Sequence, residues 1–338
     1  MKKRCTIRAA FGACILKLLV CSGCGWAATT RAVTVAENFA ANPLNHGWSV
    51  FGDTNLFHWN SAAQNLEVTW DSSHSNSYCY LPLGTILTRQ DDFSIAFDLF
   101  LSDIAAGVDP SKASSFELAI GLFNIVDATN AGFFRAAHSP NLVEFDFFPD
   151  TGFGPTIWPS FWSTNSVLNY NGSSDYTILD LPVNVLLHIA MVYTATNRTL
   201  ATSISTNGSS LGQVHNVKLS SSFTDFRVGS FAIESYSDAG QNPQYGGSLL
   251  AHGAIDNVLL TLPPAPVQGL SGGFSNNNWQ VSFLSRTNWN YTLMRSTDFQ
   301  SWTPVSISAS GLGTNLTLID TNALSGSVFY RVRAERQL

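Results

Sequence analysis

The sequence predicts an all-β protein in which a large two-sheet sandwich is followed by a smaller one. About a dozen segments alternate apolar and polar residues with the period of a half-buried strand, as in "FSIAFDLFL" at 93–101. Turn-forming clusters such as "STNGSS" separate these segments, and no stretch shows convincing helical periodicity. Only 12% of the residues are charged and 45% are hydrophobic, which excludes a disordered chain. Many short strands separated by turns are typical of a β-sandwich.

The first 27 residues have the features of an export signal, and we exclude residues 1–27 from the fold. A basic start precedes an apolar stretch that runs to about Val20, and small residues then permit cleavage after Ala27. Lipoprotein anchoring at Cys24 is the alternative. Removal of this segment leaves Cys79 as the only cysteine, so the mature chain forms no internal disulfide. We therefore expect a bacterial protein that is secreted or held at the cell surface.

The charge distribution limits the possible partners. The segment 1–27 holds five of the 17 basic residues and none of the 23 acidic ones. Residues 28–270 carry seven basic and 20 acidic residues, whereas residues 271–338 carry five basic and three acidic ones. A strongly acidic first domain argues against nucleic acid and anionic polysaccharide as partners and is compatible with neutral glycans or bound cations. No segment after the signal is long and apolar enough to be a transmembrane helix.

The predicted strands form two domains joined by a proline-rich linker. The first domain spans residues 28–262, and the stretch "PPAPVQGL" at 263–270 is expected to be a linker because its prolines cannot join a sheet. Residues 271–338 then contain five short strands, enough for a small β-sandwich of the Ig or fibronectin type III kind. No chemical constellation is visible in this second domain.

Three carboxylates lie close together in "NLVEFDFFPDTGFGP" at 141–155. Strand alternation places Glu144 and Asp146 on one face, and the turn at Pro149 brings Asp150 to the same end. Lysine and arginine are absent from residues 136 to 197, so no local base is available to neutralise the carboxylates. Because adjacent carboxylates repel one another, we expect a hard divalent cation such as calcium between them. The alternatives are solvated carboxylates on an exposed sheet face, or a distant arginine folded over them.

The same stretch resembles the metal-binding strand and loop of legume-type lectins, members of the concanavalin A-like jelly-roll superfamily. The resemblance implies that Glu144 and Asp146 form the ligand pair, that Phe148 donates its carbonyl oxygen, and that Asp150 is the loop ligand. The order of the surrounding strands also fits, with "SSFELAIGLF" at the position of a characteristic lectin strand. At the level of the fold, the resemblance covers roughly residues 33–262. It implies a jelly roll that binds a glycan and holds a calcium ion.

Three positions depart from the lectin pattern. The further loop aspartate of the family would fall near Pro155, and its histidine ligand would fall near Ser160. The sugar-binding aspartate corresponds to Phe116, so the family's monosaccharide pocket is not reproduced. The resemblance therefore implies one hard cation rather than a two-metal site.

Aromatic residues follow the acidic strand in "TIWPSFWSTN" at 156–165. We interpret this stretch as a loop in which Trp158, Phe161 and Trp162 lack a strand alternation that would explain them. Rings on such a loop stack well on the apolar face of a pyranose, so these three residues are the predicted carbohydrate-binding site. The alternative is a loop that closes one end of the sandwich with its own small core.

An enzyme on the same fold is a second hypothesis. Family 16 glycoside hydrolases place their acids as Glu-x-Asp-x-x-Glu, but the third position here is Pro149, so no catalytic residue is assigned. A polysaccharide lyase motif of the Gln-x-His type is matched only by Gln213 and His215, a pattern that is common by chance. A structural envelope or adhesion protein is the third hypothesis. The favoured function is a secreted carbohydrate-binding protein.

Overall fold

The computed structural model describes residues 32–106, 115–135, 138–238, 248–324 and 327–337. The predicted export signal and the cleavage site after Ala27 lie outside the described residues. The described residues divide into two compact units, one formed by Thr34–Pro263 and the other by the residues from Pro264 onward. Each unit is described below by itself.

The first unit consists of antiparallel strands with one short helix. Its helix α1 spans Ile125–Ala128, and 3-10 turns lie at Pro43–Asn45, Thr54–Leu56 and Gly172–Ser174. The strands are β1 (Val33–Glu37), β2 (Ser49–Phe51), β3 (Phe57–Asn60), β4 (Asn65–Asp71), β5 (Ser77–Leu87), β6 (Phe93–Ala106), β7 (Leu118–Phe123), β8 (Leu142–Phe148), β9 (Thr156–Trp162), β10 (Thr177–Ile178), β11 (Leu186–Thr194), β12 (Thr199–Thr206), β13 (Ser209–Gln213), β14 (Val217–Lys218), β15 (Val228–Ser235) and β16 (Leu249–Leu262).

These strands form two sheets that pack face to face. The larger sheet has the order β13-β12-β11-β6-β16-β4-β3, with β1 added to β16 and β14 added to β12. The smaller sheet has the order β10-β9-β8-β7-β15-β5-β2. Some neighbours come from distant parts of the sequence, as in β6 beside β16, whereas β11 to β13 and β7 to β10 are each consecutive along the chain. The predicted all-β class and two-sheet jelly-roll sandwich are confirmed.

Strand alternation produces the core between the two sheets. Val143, Phe145 and Phe147 of β8 point inward and are completely buried. The ring of Phe145 meets that of Phe97 on β6 edge to face, with centroids 6.1 Å apart, so the two sheets are in direct contact. The alternate residues of β8 therefore lie on the outer face of the seven-stranded sheet, where the candidate site is found.

The second unit contains two smaller antiparallel sheets around its own core. Its strands are β17 (Val267–Ser275), β18 (Asn278–Ser285), β19 (Trp289–Ser296), β20 (Thr303–Pro304), β21 (Ala309–Ser310), β22 (Asn315–Asp320) and β23 (Phe329–Arg336). One sheet has the order β17-β18-β22, and in the other β19 pairs with β20, β21 and β23. The core residues are Val281, Phe283, Trp289, Tyr291, Leu293, Leu318 and Val332.

The boundaries differ from the prediction at the linker. Residues 263–270 were expected to stay outside any sheet, but β17 already begins at Val267, immediately after the last proline. Only the three prolines prevent strand pairing, since each lacks a backbone N–H. An Ig or fibronectin type III topology for this unit stays a prediction. Among the described residues, no helix has the length and apolar character needed to cross a membrane.

Candidate functional site

A short segment covers the outer face of the seven-stranded sheet. This covering segment, residues 124–135, begins with α1, whose N-terminus is capped by the Asn124 side chain accepting a hydrogen bond from Val126 N at 3.0 Å. The Tyr78 hydroxyl, on the sheet below, donates to the carbonyl of Ala128 at 3.2 Å. Phe133 stacks on Tyr236, with ring centroids 6.0 Å apart. The segment therefore buries the sheet face beneath it.

The covering segment places Arg135 over a group of buried carboxyls. Arg135 Nη2 lies 2.7 Å from Asp146 Oδ2 and 2.9 Å from Glu144 Oε2, and Arg135 Nε lies 3.0 Å from Glu117 Oε1. All four side chains are at most 3% exposed. Of these three contacts, only the one between Arg135 and Asp146 has hydrogen-bond geometry. Arg135 is thus the positive charge that the acidic strand requires.

Aromatic rings enclose the guanidinium from two sides. Its central carbon is 5.4 Å from the ring centroid of Trp162 and 5.4 Å from that of Tyr236. At this distance both rings attract the cation through their negative faces. The Tyr236 hydroxyl also donates to Glu144 Oε1 at 2.5 Å. Arg135 is held in one position by charge, stacking and packing together.

Small residues on β7 make room for this arrangement. Gly121 lies opposite Glu144, and Ala119 lies between Asp146 on β8 and Glu234 on β15. A Cβ atom at Gly121 would collide with the carbonyl oxygen of Val143 and lie 2.6 Å from Glu144 Cα. Gly121 therefore allows β7 and β8 to approach closely beside Glu144.

Four carboxyls share this single arginine, so part of the cluster holds protons at neutral pH. Burial raises the pKa of Glu117 to about 7 and that of Glu144 to about 8, against the opposing effect of Arg135. The pKa of Asp146 is also raised by burial. Glu234 is completely buried, and neither of its carboxyl oxygens has a hydrogen-bond partner among the described residues. Burial and the charges of Glu144 and Asp146 raise the pKa of Glu234 strongly.

The donors predicted for calcium do not fit that ion. Glu144 and Asp146 face a cationic side chain, and the carboxylate of Asp150 instead accepts a hydrogen bond from Gly152 N at 2.7 Å in an exposed turn. Phe148 belongs to β8 and pairs with Thr156 of β9. Within the described parts of the chain, no group of three or more His, Cys, Asp or Glu residues is placed to hold a metal. Of the alternatives to a cation, an arginine folded over the carboxylates is the one found here, since Arg135 lies over Glu144 and Asp146.

The aromatic stretch is a strand and not the predicted loop. Thr156–Trp162 forms β9 and pairs with β8 along its whole length, for example Trp158 with Asp146. Pro159 is tolerated because β10, on the other side of β9, pairs only with its first two residues. The alternation was hidden from sequence reasoning because both faces of β9 carry apolar side chains.

The three predicted carbohydrate-binding residues separate accordingly. Phe161 points into the core between the sheets and is completely buried, 5.6 Å from the ring of Tyr193. Trp162 is 5% exposed and lies against Arg135. Trp158 alone remains half-buried at the surface. The structure therefore removes Phe161 and Trp162 from any surface available to a sugar.

Trp158 is the centre of a cluster that we call the aromatic platform, formed by Phe148, Trp158, Tyr170 and Tyr176. The Trp158 ring centroid lies 5.9 Å from those of Tyr170 and Tyr176 and 6.4 Å from that of Phe148. Tyr170 is 59% exposed, and Phe148 and Tyr176 are half-buried. The register of β8 and β9 places this platform directly beside Asp146 of the buried cluster.

Hydrogen bonds hold the loop that carries the two tyrosines. Asn171 N donates to Asp175 Oδ2 at 2.5 Å, and the Asn171 side chain donates to the carbonyl of Lys218 at 2.8 Å. Asn169 is buried, donates to the same carbonyl at 3.1 Å and accepts from Ser220 N at 2.8 Å. Because these bonds order the loop before any ligand arrives, the platform loses little conformational freedom on binding.

Sequence reasoning missed Arg135, Glu117, Glu234 and Tyr170. Arg135 is the nearest base upstream of the acidic strand, so the alternative of an arginine folded over the carboxylates was a signal that could have indicated it. Tyr170 carried no such signal, since it joins Trp158 only through folding of the intervening loop. The lyase-like pair is not assembled: the backbone N–H of His215 donates to Thr177 Oγ1 at 2.9 Å, and both Gln213 and His215 are exposed.

Comparison with solved structures finds legume lectins. Lectin II from Ulex europaeus is 14% identical with a TM-score of 0.43, covering 68% of this chain and 98% of the lectin. Peanut lectin with a nine-residue peptide is 13% identical with a TM-score of 0.42, covering 70% and 100%. A sialidase is 10% identical with a TM-score of 0.37, covering 67% of this chain and only 18% of the sialidase.

In these three comparisons every identity is 14% or lower and every TM-score is below 0.5, so they carry no argument about what this chain does. The lectin neighbours are of the concanavalin A-like jelly-roll class predicted from the sequence. No protein-family model matches the sequence, and no curated protein does so either.

Proposed function

We propose that this protein is a secreted carbohydrate-binding protein and that the aromatic platform is its binding surface. The observation that carries the proposal is the grouping of three aromatic rings within 6.4 Å of Trp158, with Tyr170 59% exposed. Rings of this kind stack on the C–H groups of a pyranose, and a rigid aromatic surface offers contact area at low entropic cost. Export is supported by the basic and apolar segment at 1–27.

Binding is favoured over glycoside hydrolysis by the burial of the carboxyls. Glu144 and Asp146, the two acids that match the hydrolase pattern, are at most 1% exposed and face Arg135 beneath the covering segment. A general acid or nucleophile must approach its substrate within hydrogen-bond distance. In this arrangement the two acids contact protein groups, and the aromatic platform beside them is the part of the surface that a glycan reaches.

The test is affinity electrophoresis of the purified protein in native gels that contain laminarin, galactomannan or xyloglucan. We expect at least one of these neutral polysaccharides to retard the wild type. Trp158→Ala and Tyr170→Ala should each weaken that binding by about tenfold, which corresponds to ~1.4 kcal/mol. Phe274→Ala, which removes a ring that is 67% exposed in the second unit, is the matched control and should leave the retardation unchanged.

Three results would contradict the proposal. Migration unaffected by all three polymers, or equal retardation of wild type and Trp158→Ala, would remove the platform as a glycan site. Release of reducing ends or unsaturated products from the same polymers would favour the hydrolase or lyase alternative. Thermal melting of each variant must accompany the gels, so that loss of binding is not confused with loss of the fold.

A further inference from the structure

The second unit carries a surface patch made of aromatic side chains and an arginine. We call it the aromatic–arginine patch, and it consists of Phe299, Trp302, Phe329 and Arg331. The ring centroids of Phe299 and Phe329 are 3.5 Å apart, and that of Trp302 lies 6.5 Å from Phe299. Phe299 is 48% exposed, and the other three side chains are half-buried. All four residues come from β23 and the turn that precedes β20.

The turn that presents Phe299 and Trp302 is ordered by its own hydrogen bonds. Asp298 Oδ1 accepts from Gln300 N and Ser301 N, both at 2.8 Å, and Ser296 Oγ accepts from Phe299 N at 2.9 Å. These bonds hold Phe299 at a φ of +62°, a left-handed conformation that is unfavourable for an aromatic residue. A strained backbone conformation therefore holds a large apolar ring at the surface. Backbone strain of this kind is associated with functional sites.

Arg331 adds a cation for which no hydrogen bond or ion pair is found among the described residues. Its guanidinium carbon lies 4.2 Å from the ring centroid of Trp302, and it reaches that ring across Met294, which pairs with Arg331 in the sheet. Arg331 Nε is buried and has no hydrogen-bond partner among the described residues. The neighbouring Arg333, by contrast, forms an ion pair with Glu335 at 3.2 Å. Because Nε is buried, the two terminal Nη groups are the donors of Arg331 that a planar anion would pair with.

The charge of this unit points to the same kind of ligand. Residues 271–338 carry five arginines and three acids, and two of those acids are already engaged, Asp320 by Arg295 at 2.8 Å and Glu335 by Arg333. Residues 28–270, by contrast, carry 20 acids and seven bases. The net charge of residues 28–270 therefore repels an anionic ligand, and that of residues 271–338 attracts it. Carboxylates are bound by arginine through two parallel hydrogen bonds.

We propose that the aromatic–arginine patch is a second binding site, specific for an acidic polysaccharide whose sugar rings carry carboxylates. The rings of Phe299, Trp302 and Phe329 would contact the apolar faces of the sugars, and Arg331 would pair with a uronate carboxylate. The site is separate from the aromatic platform and does not depend on it. The two units would then recognise glycans of different charge.

The experiment is affinity electrophoresis of the full-length protein in gels containing polygalacturonate. We expect retardation that weakens as salt is raised, about tenfold weaker binding for Arg331→Gln, and a similar loss for Trp302→Ala. Arg333→Gln is the matched control, because it removes the same charge from the same strand and should reduce binding no more than about twofold. Trp158→Ala should have no effect, so failure of this proposal and failure of the platform proposal are distinguishable.

Several outcomes would overturn the assignment. An absence of retardation by polygalacturonate contradicts it directly. Equal losses in Arg331→Gln and Arg333→Gln would show a diffuse charge effect and no built site. Competition by single-stranded oligothymidylate at the same ionic concentration would show a general polyanion surface. Arg331→Lys keeps the charge but loses the planar fork, so full binding by that variant would contradict the bidentate contact.

Discussion

At the scale of single residues, Arg135 is the group on which most of the outer sheet face depends. It faces Glu117, Glu144 and Asp146 in a site that is at most 3% exposed, with Trp162 and Tyr236 on either side. A buried charge without its partner is costly because neither water nor a neighbour solvates it. The cluster is therefore sensitive to loss of the arginine and to any change in the protonation of its carboxyls.

Arg135→Gln should lower the free energy of unfolding by about 3–5 kcal/mol, since it leaves three buried carboxyls without their cation. Urea denaturation followed by tryptophan fluorescence measures the change. The control is Arg333→Gln, whose ion pair with Glu335 is about half exposed, and it should cost less than about 1 kcal/mol. A loss from Arg135→Gln as small as that of the control would contradict the assigned role of the cluster.

The same cluster should make the protein more stable in mild acid than in mild base. The pKa of Glu117 is raised from 4.5 to about 7 and that of Glu144 from 4.5 to about 8. The folded state keeps these protons where the unfolded chain releases them, so stability falls as pH rises from about 4.5 through 8. Asp146 and Glu234, with pKa values raised by burial, act in the same direction.

Melting temperatures recorded between pH 5 and pH 8.5 test this dependence. We expect a decline across the range in the wild type and a shallower decline in Glu144→Gln, which removes one titrating group but keeps its shape. Asp53 and Asp298 have pKa values lowered from 3.8 by backbone hydrogen bonds, so their titration changes the stability only below the pH range that is measured. A flat profile, or identical slopes for the wild type and Glu144→Gln, would show that the buried carboxyls do not titrate there.

At the scale of elements, β7, β8 and β9 are buried on both faces, one by the opposing sheet and the other by the covering segment or its neighbours. This explains why β9 carries Ile157 and Phe161 on one face and Trp158 and Trp162 on the other. The close approach of β8 also explains Gly121 on β7, because a Cβ atom there would meet the backbone of Val143 and Glu144. The platform and the cluster are two parts of one sheet face.

Gly121→Ala should lower the free energy of unfolding by about 1–3 kcal/mol, because the added methyl group meets the backbone of β8 and cannot be accommodated by a side-chain rotation. Gly273→Ala is the matched control, since a Cβ there meets nothing within 4 Å, and its effect should stay within about 0.5 kcal/mol. Both are measured by urea denaturation. Equal effects of the two substitutions would argue against the close approach of β7 and β8.

At the scale of the whole molecule, the chain combines two compact units with separate cores and opposite charge balance. The core of Thr34–Pro263 contains Phe145, and the core of Pro264–Leu338 contains Phe283. Residues 28–270 carry an excess of acids, and residues 271–338 carry an excess of arginines. Two glycan-binding surfaces of different charge preference are consistent with this division.

Calorimetry of the full-length protein should therefore show two unfolding transitions. Phe283→Ala should lower one of them and Phe145→Ala the other, each by the equivalent of about 3–5 kcal/mol for a buried phenylalanine. Each substitution should leave the remaining transition in place, since neither core contains residues of the other. A single transition lowered equally by both substitutions would mean that the two units unfold together.

The sequence by itself determined the all-β class, the sandwich of the first unit, the acidic pair on β8 and the aromatic character of the following residues. These properties are local: a period of two assigns each side chain to a face without knowledge of what covers that face. For the same reason the alternation assigns Val143, Phe145 and Phe147 to one face, which the structure buries in the core, and Glu144 and Asp146 to the other.

Only the tertiary structure decided what lies above Glu144 and Asp146, which of Trp158, Phe161 and Trp162 reaches the surface, and which tyrosines join them. Arg135 comes from the covering segment, Glu234 from a strand 90 residues further on, and Tyr170 from a loop whose path depends on Lys218. Such contacts depend on the path of the intervening segments, as with the covering segment that returns Arg135 to Asp146 eleven residues later, and the alternation within a strand does not describe that path. A buried arginine and a bound cation satisfy the same carboxylates, so residue type and spacing alone do not distinguish them.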